Sequence, residues 1–328
     1  MNPELLTHIT AAIHEATQRH FEALEATPVG GGCINQTYRI GGRDGRRFFV
    51  KLNDAHKLPM FTAERAGLEA IAATKTVRVP QPIAHGTAGK HAFLVLEYLE
   101  LRGNGNARLL GEQLAALHRV QSHQFGFQQD NFLGETLQPN VWLSDWIAFW
   151  REQRLGFQLD LAAHNGYGGK LQEMGHRLME RLPEFFDGYH PVPSLLHGDL
   201  WGGNHAYTAD GMPIIFDPAP YYGDREADIA MMELFGGFDR ELHAAYRAAW
   251  PLDAGYAKRC DLYNLYHILN HANLFGGGCD TLLAKPADCG SSRLVALPHQ
   301  RATPHREQAT AYARQAEQMM RQLLGMAS

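Results

Sequence analysis

Two short polar loops, each running out of an apolar segment, constrain this chain more than any other feature. Leu195-Leu196 leads into His197-Gly198-Asp199-Leu200-Trp201-Gly202-Gly203-Asn204. Ile214-Ile215-Phe216 leads into Asp217, 18 residues after Asp199. An apolar strand that ends in a polar turn delivers its carboxylate to a fixed place at the edge of a core. Asp199 is followed five residues later by Asn204. That spacing suits phosphoryl transfer: the Asp takes the proton of an attacking hydroxyl, and the Asn oxygen reaches a magnesium ion on nucleotide phosphates. Asp217 offers the second oxygen donor that a hard cation prefers. Singly, each residue would read as a turn or a helix cap; in combination they point to a catalytic pair of loops.

The segment before residue 100 supplies the other parts. Residues Leu5 to about Glu25 carry Leu5, Ile9 and Ile13 at helical spacing, and Thr27-Pro28 breaks the pattern. Gly30-Gly31-Gly32 follows, with Cys33, Ile34 and Asn35 completing a loop whose backbone N–H groups can meet phosphates. Strands are expected at 37–40 and 46–52, and Lys51 on the second can reach phosphates as a compact cation. A helix over 61–73 offers Glu64, or alternatively Glu69, as a partner for Lys51. Val79-Pro80 ends it, and His91 to Tyr98 reads as a strand. Backbone groups of Glu97 and Leu99 are candidates for an adenine edge.

The order of parts is that of protein kinases. The details differ. There is no GxGxxG, the loop reads His-Gly-Asp rather than His-Arg-Asp, the second motif reads Asp-Pro-Ala, and no Ala-Pro-Glu segment follows. These departures favour phosphorylation of a small acceptor group over protein-kinase activity on folded Ser or Thr.

Beyond Gly105, residues 107–120 and 143–163 look helical, the latter rich in Trp, and the chain from about Asp224 is largely helical with a last helix at 306–324. The expected fold is α+β and two-lobed: a small antiparallel-sheet lobe over residues 1–100 that binds nucleotide, and a larger, mainly helical lobe over 101–328. Length alone, 328 residues, fits about two domains.

Composition excludes several classes. With 35 acidic and 30 basic side chains and no basic block, sequence-independent nucleic-acid binding is not expected. No apolar run approaches the roughly 18 residues of a membrane span, and the first residues lack the pattern of a signal peptide. Four scattered cysteines make no disulfide framework, so a cytoplasmic setting is expected.

Six segments together resemble the fructosamine kinase, or ketosamine 3-kinase, family: GGGCINQTYRI (30–40), DNFLG (130–134), WIAFWREQRL (146–155), HGDLWGGN (197–204), FDPAPYYGDREADIAMMELFGGF (216–238) and LYHILNHANLFGGG (265–278). The resemblance implies a protein-kinase-like fold of the aminoglycoside-phosphotransferase type. It also implies ATP- and Mg²⁺-dependent phosphorylation of the sugar 3-hydroxyl of a ketosamine on a lysine or small amine, after which the adduct falls apart. On that basis Asp199 is the expected base, Asn204 and Asp217 the metal ligands, and Lys51 with the 30–35 loop the ATP-phosphate site. Trp201 is a candidate wall of the sugar pocket or a brace for the loop. In the charged stretch, Glu226 is a candidate for the substrate amine, and Arg225 or Asp228 for bracing the loop, as is His197. Cys33 is a candidate redox switch. Another small-molecule kinase of the aminoglycoside or choline kinase type, and a nucleotide-binding scaffold, are the alternatives; monomer and homodimer are both open. Residues 279–305 depart from the family's short connection. Their Cys279 and Cys289, with His299 and His305, fit no standard zinc spacing.

Overall fold

The computed structural model describes residues 1–30, 34–276 and 304–326. The N-terminal lobe is a five-stranded antiparallel sheet in the order β1-β2-β3-β5-β4. Its strands are β1 (Ala23–Pro28), β2 (Gln36–Gly42), β3 (Arg47–Asp54), β4 (Pro82–Ala88) and β5 (His91–Glu97). Helix α1 (Pro3–Thr17) covers one face and α2 (Leu58–Thr74) the other. Strand alternation divides the apolar side chains between them. Phe93 and Val95 of β5 join Val50, Leu52, Leu5, Ile9 and Ile13 on the α1 side. Ala92, Leu94 and Leu96 join Phe61, Leu68 and Ile71 on the α2 side. Lys51, between Val50 and Leu52, therefore projects toward α2.

Two expectations need correction. The first helix ends at Thr17, where Gln18 turns left-handed (φ 51°), and does not run on to Glu25. Residues 23–28 form β1 instead. It is an edge strand whose largely exposed side chains carry no alternation, and Pro28 is tolerated at its end. The stretch after Val79-Pro80 is likewise not a mere break, for β4 pairs there with β5.

The larger C-terminal lobe is mainly helical. After β6 (Leu101–Arg102) come α3 (Ala107–His118), the hairpin β7 (Asn131–Leu133) and β8 (Thr136–Gln138), and a long helical run. That run is α4 (Trp146–Phe149), a π-helical stretch over Trp150–Gly156, and α5 (Phe157–His164), followed by α6 (Lys170–Glu180). Short strands β9 (Ser194–Leu195), β10 (His205–Thr208), β11 (Pro213–Ile215) and β12 (Tyr222–Gly223) carry the polar loops. Strand β10 pairs with β11 and with β6, and β9 with β12. Helices α7 (Glu226–Phe235), α8 (Arg240–Ala249), α9 (Tyr256–Gly276) and α10 (Pro304–Met326) complete the chain, with α9 packed on α10, α7 and α5. Core residues of this lobe are continuous with those under α2, so one apolar body joins the sheet to the helices. Among the described residues no helix is long and apolar enough to cross a membrane. Residues 279–303 lie outside the described residues.

Candidate active site

The Asp199 loop is built on a buried carboxylate. Asp228, in the first turn of α7, accepts the backbone N–H of His197 (2.7 Å) and of Gly198 (2.9 Å), and the Nε2 of His118 reaches it at 3.1 Å. Burial opposes its charge, but the hydrogen bond and charge of His118 outweigh it and hold the carboxyl below the usual range. The His197 ring donates from Nε2 to the Phe216 carbonyl (3.0 Å), which leaves Nδ1 to accept the Asp199 N–H (3.2 Å). Burial depresses its pKa, so His197 is a neutral brace between the two loops.

Gly198 explains the departure from His-Arg-Asp. Its φ is +82°, and a Cβ there would lie 2.0 Å from the Ala219 carbonyl oxygen. The Ala219 N–H in turn bonds the His197 carbonyl (2.9 Å). The Asp199 loop and the Asp217 loop are stitched together at a distance no side chain would fit.

Asp228→Asn should show what the anchor contributes. The change removes one acceptor, leaving a buried His197 or Gly198 N–H unpaired, a cost of about 1–3 kcal/mol. Faster hydrogen exchange at these two amides is the expected result; unchanged protection would mean the loop is held elsewhere. A depressed carboxyl contributes stability above the unfolded aspartate pKa of about 3.9, lost as the pH falls through the lower folded value.

The functional side chains converge around this frame. Asn204 donates its side-chain N–H to the Asp199 carbonyl (2.8 Å) and to Asp199 Oδ2 (3.2 Å), which turns its Oδ1 away as an acceptor. Burial, and then the charge of Asp217, push the Asp199 carboxyl well above its usual range. Asp217 is left-handed (φ 57°), one of three such non-glycine residues among those described. Its Oδ1 meets Lys51 Nζ at 2.5 Å, while Glu64 Oε1 meets the same Nζ at 2.7 Å. One buried ammonium thus sits between two carboxylates. Burial disfavours its charge, but Asp217 and Glu64 more than compensate and raise its pKa. Burial lifts Glu64 to about 6 against the pull of Lys51. Of the two candidate partners, Glu64 takes Lys51, and Glu69 pairs with Arg65 (2.8 Å).

Gly30 opens the loop just after β1, whereas Gly31, Gly32 and Cys33 lie outside the described residues, and with them the redox reading of Cys33. Asn53 on β3 donates to the Ile34 carbonyl (3.3 Å) and Asn35 Oδ1 (2.8 Å), fixing the loop's far end. The Glu97 N–H is engaged by the Gln81 carbonyl (2.8 Å) and its carboxylate by Arg78, so only its carbonyl is left to the adenine reading; Leu99, just beyond β5, is half-buried. Trp201 is half-buried, and its six-membered ring lies over Gly203, where a Cβ would come within 2.2 Å.

Glu226 is a correction. It is fully buried and ion-paired with Arg259 (2.7 Å), so it is not presented to a substrate amine. Arg225 also turns inward, to Tyr246 Oη and the Trp250 and Pro251 carbonyls.

Sequence reasoning missed a pair of buried amides. Asn131 donates to the Pro220 carbonyl (2.7 Å). Gln138 donates to the Ala219 carbonyl (3.0 Å) and to Asn131 Oδ1 (2.8 Å), and the Tyr266 hydroxyl donates to Gln138 Oε1 (2.9 Å). The hairpin motif at 130–134 was visible, but nothing in its spacing points to carbonyls more than eighty residues away.

A sheet lobe with a Lys–Glu pair, set against a helical lobe carrying an Asp–Asn loop and a second Asp, defines the kinase-like phosphotransferases. The chain matches the fructosamine kinase family over residues 5–285, and it belongs to that family. It is 48% identical over 273 residues to a protein named as a probable ketoamine kinase from Synechocystis, covering 82% of this chain and 91% of that one. It is 44% identical over 256 residues to a chloroplastic protein-ribulosamine 3-kinase of Arabidopsis thaliana, covering 76% and 77%. A crystal structure from Haemophilus somnus, provisionally named a fructosamine-3-kinase, superposes with a TM-score of 0.78 at 26% identity, covering 96% of each chain. Membership of a kinase family implies use of ATP.

Proposed function

We propose that this chain transfers the γ-phosphoryl group of ATP to the sugar 3-hydroxyl of a ketosamine carried by a lysine or a small amine. The new O–P bond forms as the bond to ADP breaks, and the hydroxyl proton passes to Asp199. The phosphorylated adduct then loses its sugar and the amine is restored. The observation that carries this reading is the Lys51–Glu64–Asp217 cluster beside Asp199 and Asn204, in a chain whose relatives are named for ketoamines and ribulosamines.

Lys51 meets the phosphates as a fixed positive charge, and Glu64 keeps it aimed. Of the loop assigned to the phosphates, Ile34 and Asn35 are held by Asn53. Asn204 Oδ1 and the Asp217 carboxylate are hard oxygen donors on neighbouring segments, joined where the Phe216 N–H bonds the Asn204 carbonyl (3.0 Å), and they fit Mg²⁺. Bound there, the ion offsets phosphate charge. Trp201 lines the sugar side. The nucleotide lobe is residues 1–100, consistent with β6 pairing into the other lobe. The scarcity of cysteine supports a reducing, cytoplasmic setting.

Of the alternatives, a scaffold that only binds nucleotide is disfavoured by the complete set of Lys51, Asp199, Asn204 and Asp217. Kinases of amicoumacin and macrolides share the fold, with TM-scores of 0.58 and 0.54, but at 14% and 16% identity they carry no argument for their acceptors.

Mass spectrometry of fructosyl-lysine, ribulosyl-lysine and an aminoglycoside, each incubated with Mg-ATP and the protein, tests the reading. Phosphate on a ketosamine is expected. Phosphate on the aminoglycoside alone would overturn the acceptor class while leaving the catalytic residues in place.

A further inference from the structure

In protein kinases the helix that carries the partner of the lysine, and the segment after the metal-binding Asp, both help to set activity by where they sit. Here the corresponding parts are packed directly on one another. Gly67 lies one turn after Glu64 on α2 and is buried. A Cβ at position 67 would lie 2.8 Å from Pro220 Cδ, 3.0 Å from Pro220 Cγ and 3.4 Å from Pro218 Cγ. These are ring atoms with locked backbone angles, which cannot swing aside as a flexible side chain would.

The proline segment is held from its other sides as well. Ala219 N–H bonds the His197 carbonyl, and the Ala219 and Pro220 carbonyls receive Gln138 and Asn131. Pro218, Ala219 and Pro220 are all buried. Glycine weakens a helix interior, and Gly67 has no left-handed angle to require it. The close approach of α2 to the prolines is what position 67 supplies.

We infer that Gly67 and the Pro220 ring are positioning residues: their contact sets the separation of Glu64 from Asp217 and so seats Lys51 between the two carboxylates. The helix has one working position, fixed by packing. This rests on the phosphoryl-transfer reading above, so wild-type turnover of a ketosamine is established first; its absence would count against that reading and not against the contact.

The test compares Gly67→Ala, Pro220→Ala and the double variant, with kcat and both KM values measured per folded molecule and ATP affinity by calorimetry. A methyl group at 67 pushes Glu64 off line. The expected result is a fall in kcat of about tenfold or more with the acceptor KM unchanged. The double variant, with room restored, should return to within about threefold of wild type. A purely structural role would lower the melting temperature of Gly67→Ala but leave kcat per folded molecule alone. If Gly67→Ala does not fold but the double variant does and turns over, the contact stands. A kcat for Gly67→Ala within about twofold of wild type, or a double variant no better than the single one, overturns the inference.

Discussion

Asp199→Asn is expected to cut ketosamine phosphorylation by about 10²–10⁴-fold, the usual contribution of a positioned proton acceptor, while ATP binding survives. Asn is nearly isosteric, so the loop should keep its shape: Asp228 still holds the His197 and Gly198 amides, and Asn204 still bonds the backbone carbonyl at 199. What changes is the chemistry of one oxygen. An amide cannot take the hydroxyl proton, and it presents N–H where the acceptor's O–H would point. Lys51, Glu64 and Asp217 are untouched, so the cluster proposed to meet the ATP phosphates remains built. Single-turnover phosphorylation together with calorimetric titration of ATP separates the two effects. A variant that keeps more than about a tenth of wild-type turnover would place the proton acceptor elsewhere.

The second large effect concerns stability. Glu226→Ala should destabilise the protein by about 3–5 kcal/mol, the cost of breaking a buried ion pair from one side. The carboxylate has no exposed surface, and Arg259 is only 2% exposed. Arg259 Nε donates to Glu226 Oε2 at 2.7 Å and its Nη2 to Oε1 at 3.3 Å. Asp253, at 2.7 Å from Nη2, is half exposed to water and compensates only in part. Removing Glu226 leaves the buried guanidinium between α7 and α9 with only the Asp253 carboxylate and the Phe185 carbonyl (3.2 Å) as partners. Thermal or denaturant unfolding would show the loss, while the acceptor KM of the protein that remains folded should not move. A raised KM with wild-type stability would return Glu226 to the substrate.

That residue marks one limit of what the sequence made legible. Asp224-Arg225-Glu226-Asp228 reads as a charged stretch, and charge suggests solvent or substrate. The partners that draw it inward, His118, Tyr189, Tyr246, Arg259 and Tyr263, come from three other helices and a loop, and no local pattern reveals them. The Asp199–Asn204 loop was legible because its geometry is local and follows an apolar strand. Lys51 was legible from its place on an apolar strand after the glycine loop, but its partner was narrowed only to Glu64 or Glu69, and the packing of α2 decides between them. Strand β1 was not, since an exposed edge carries no alternation to read. The amides of Asn131 and Gln138 act across the fold on backbone carbonyls, which have no sequence signature at all.

The left-handed backbone at Asp217 works as a double filter on what can stand there. Among residues that bear a side chain, asparagine and aspartate tolerate this conformation best. Glycine or asparagine would keep the turn but surrender the negative charge that meets Lys51. Glutamate would keep the charge, yet its backbone resists the turn and its carboxylate stands one methylene farther out. No substitution satisfies both demands, so a saturation library at this position should recover aspartate alone. Position 199, on an ordinary backbone, should follow the chemistry of its side chain only.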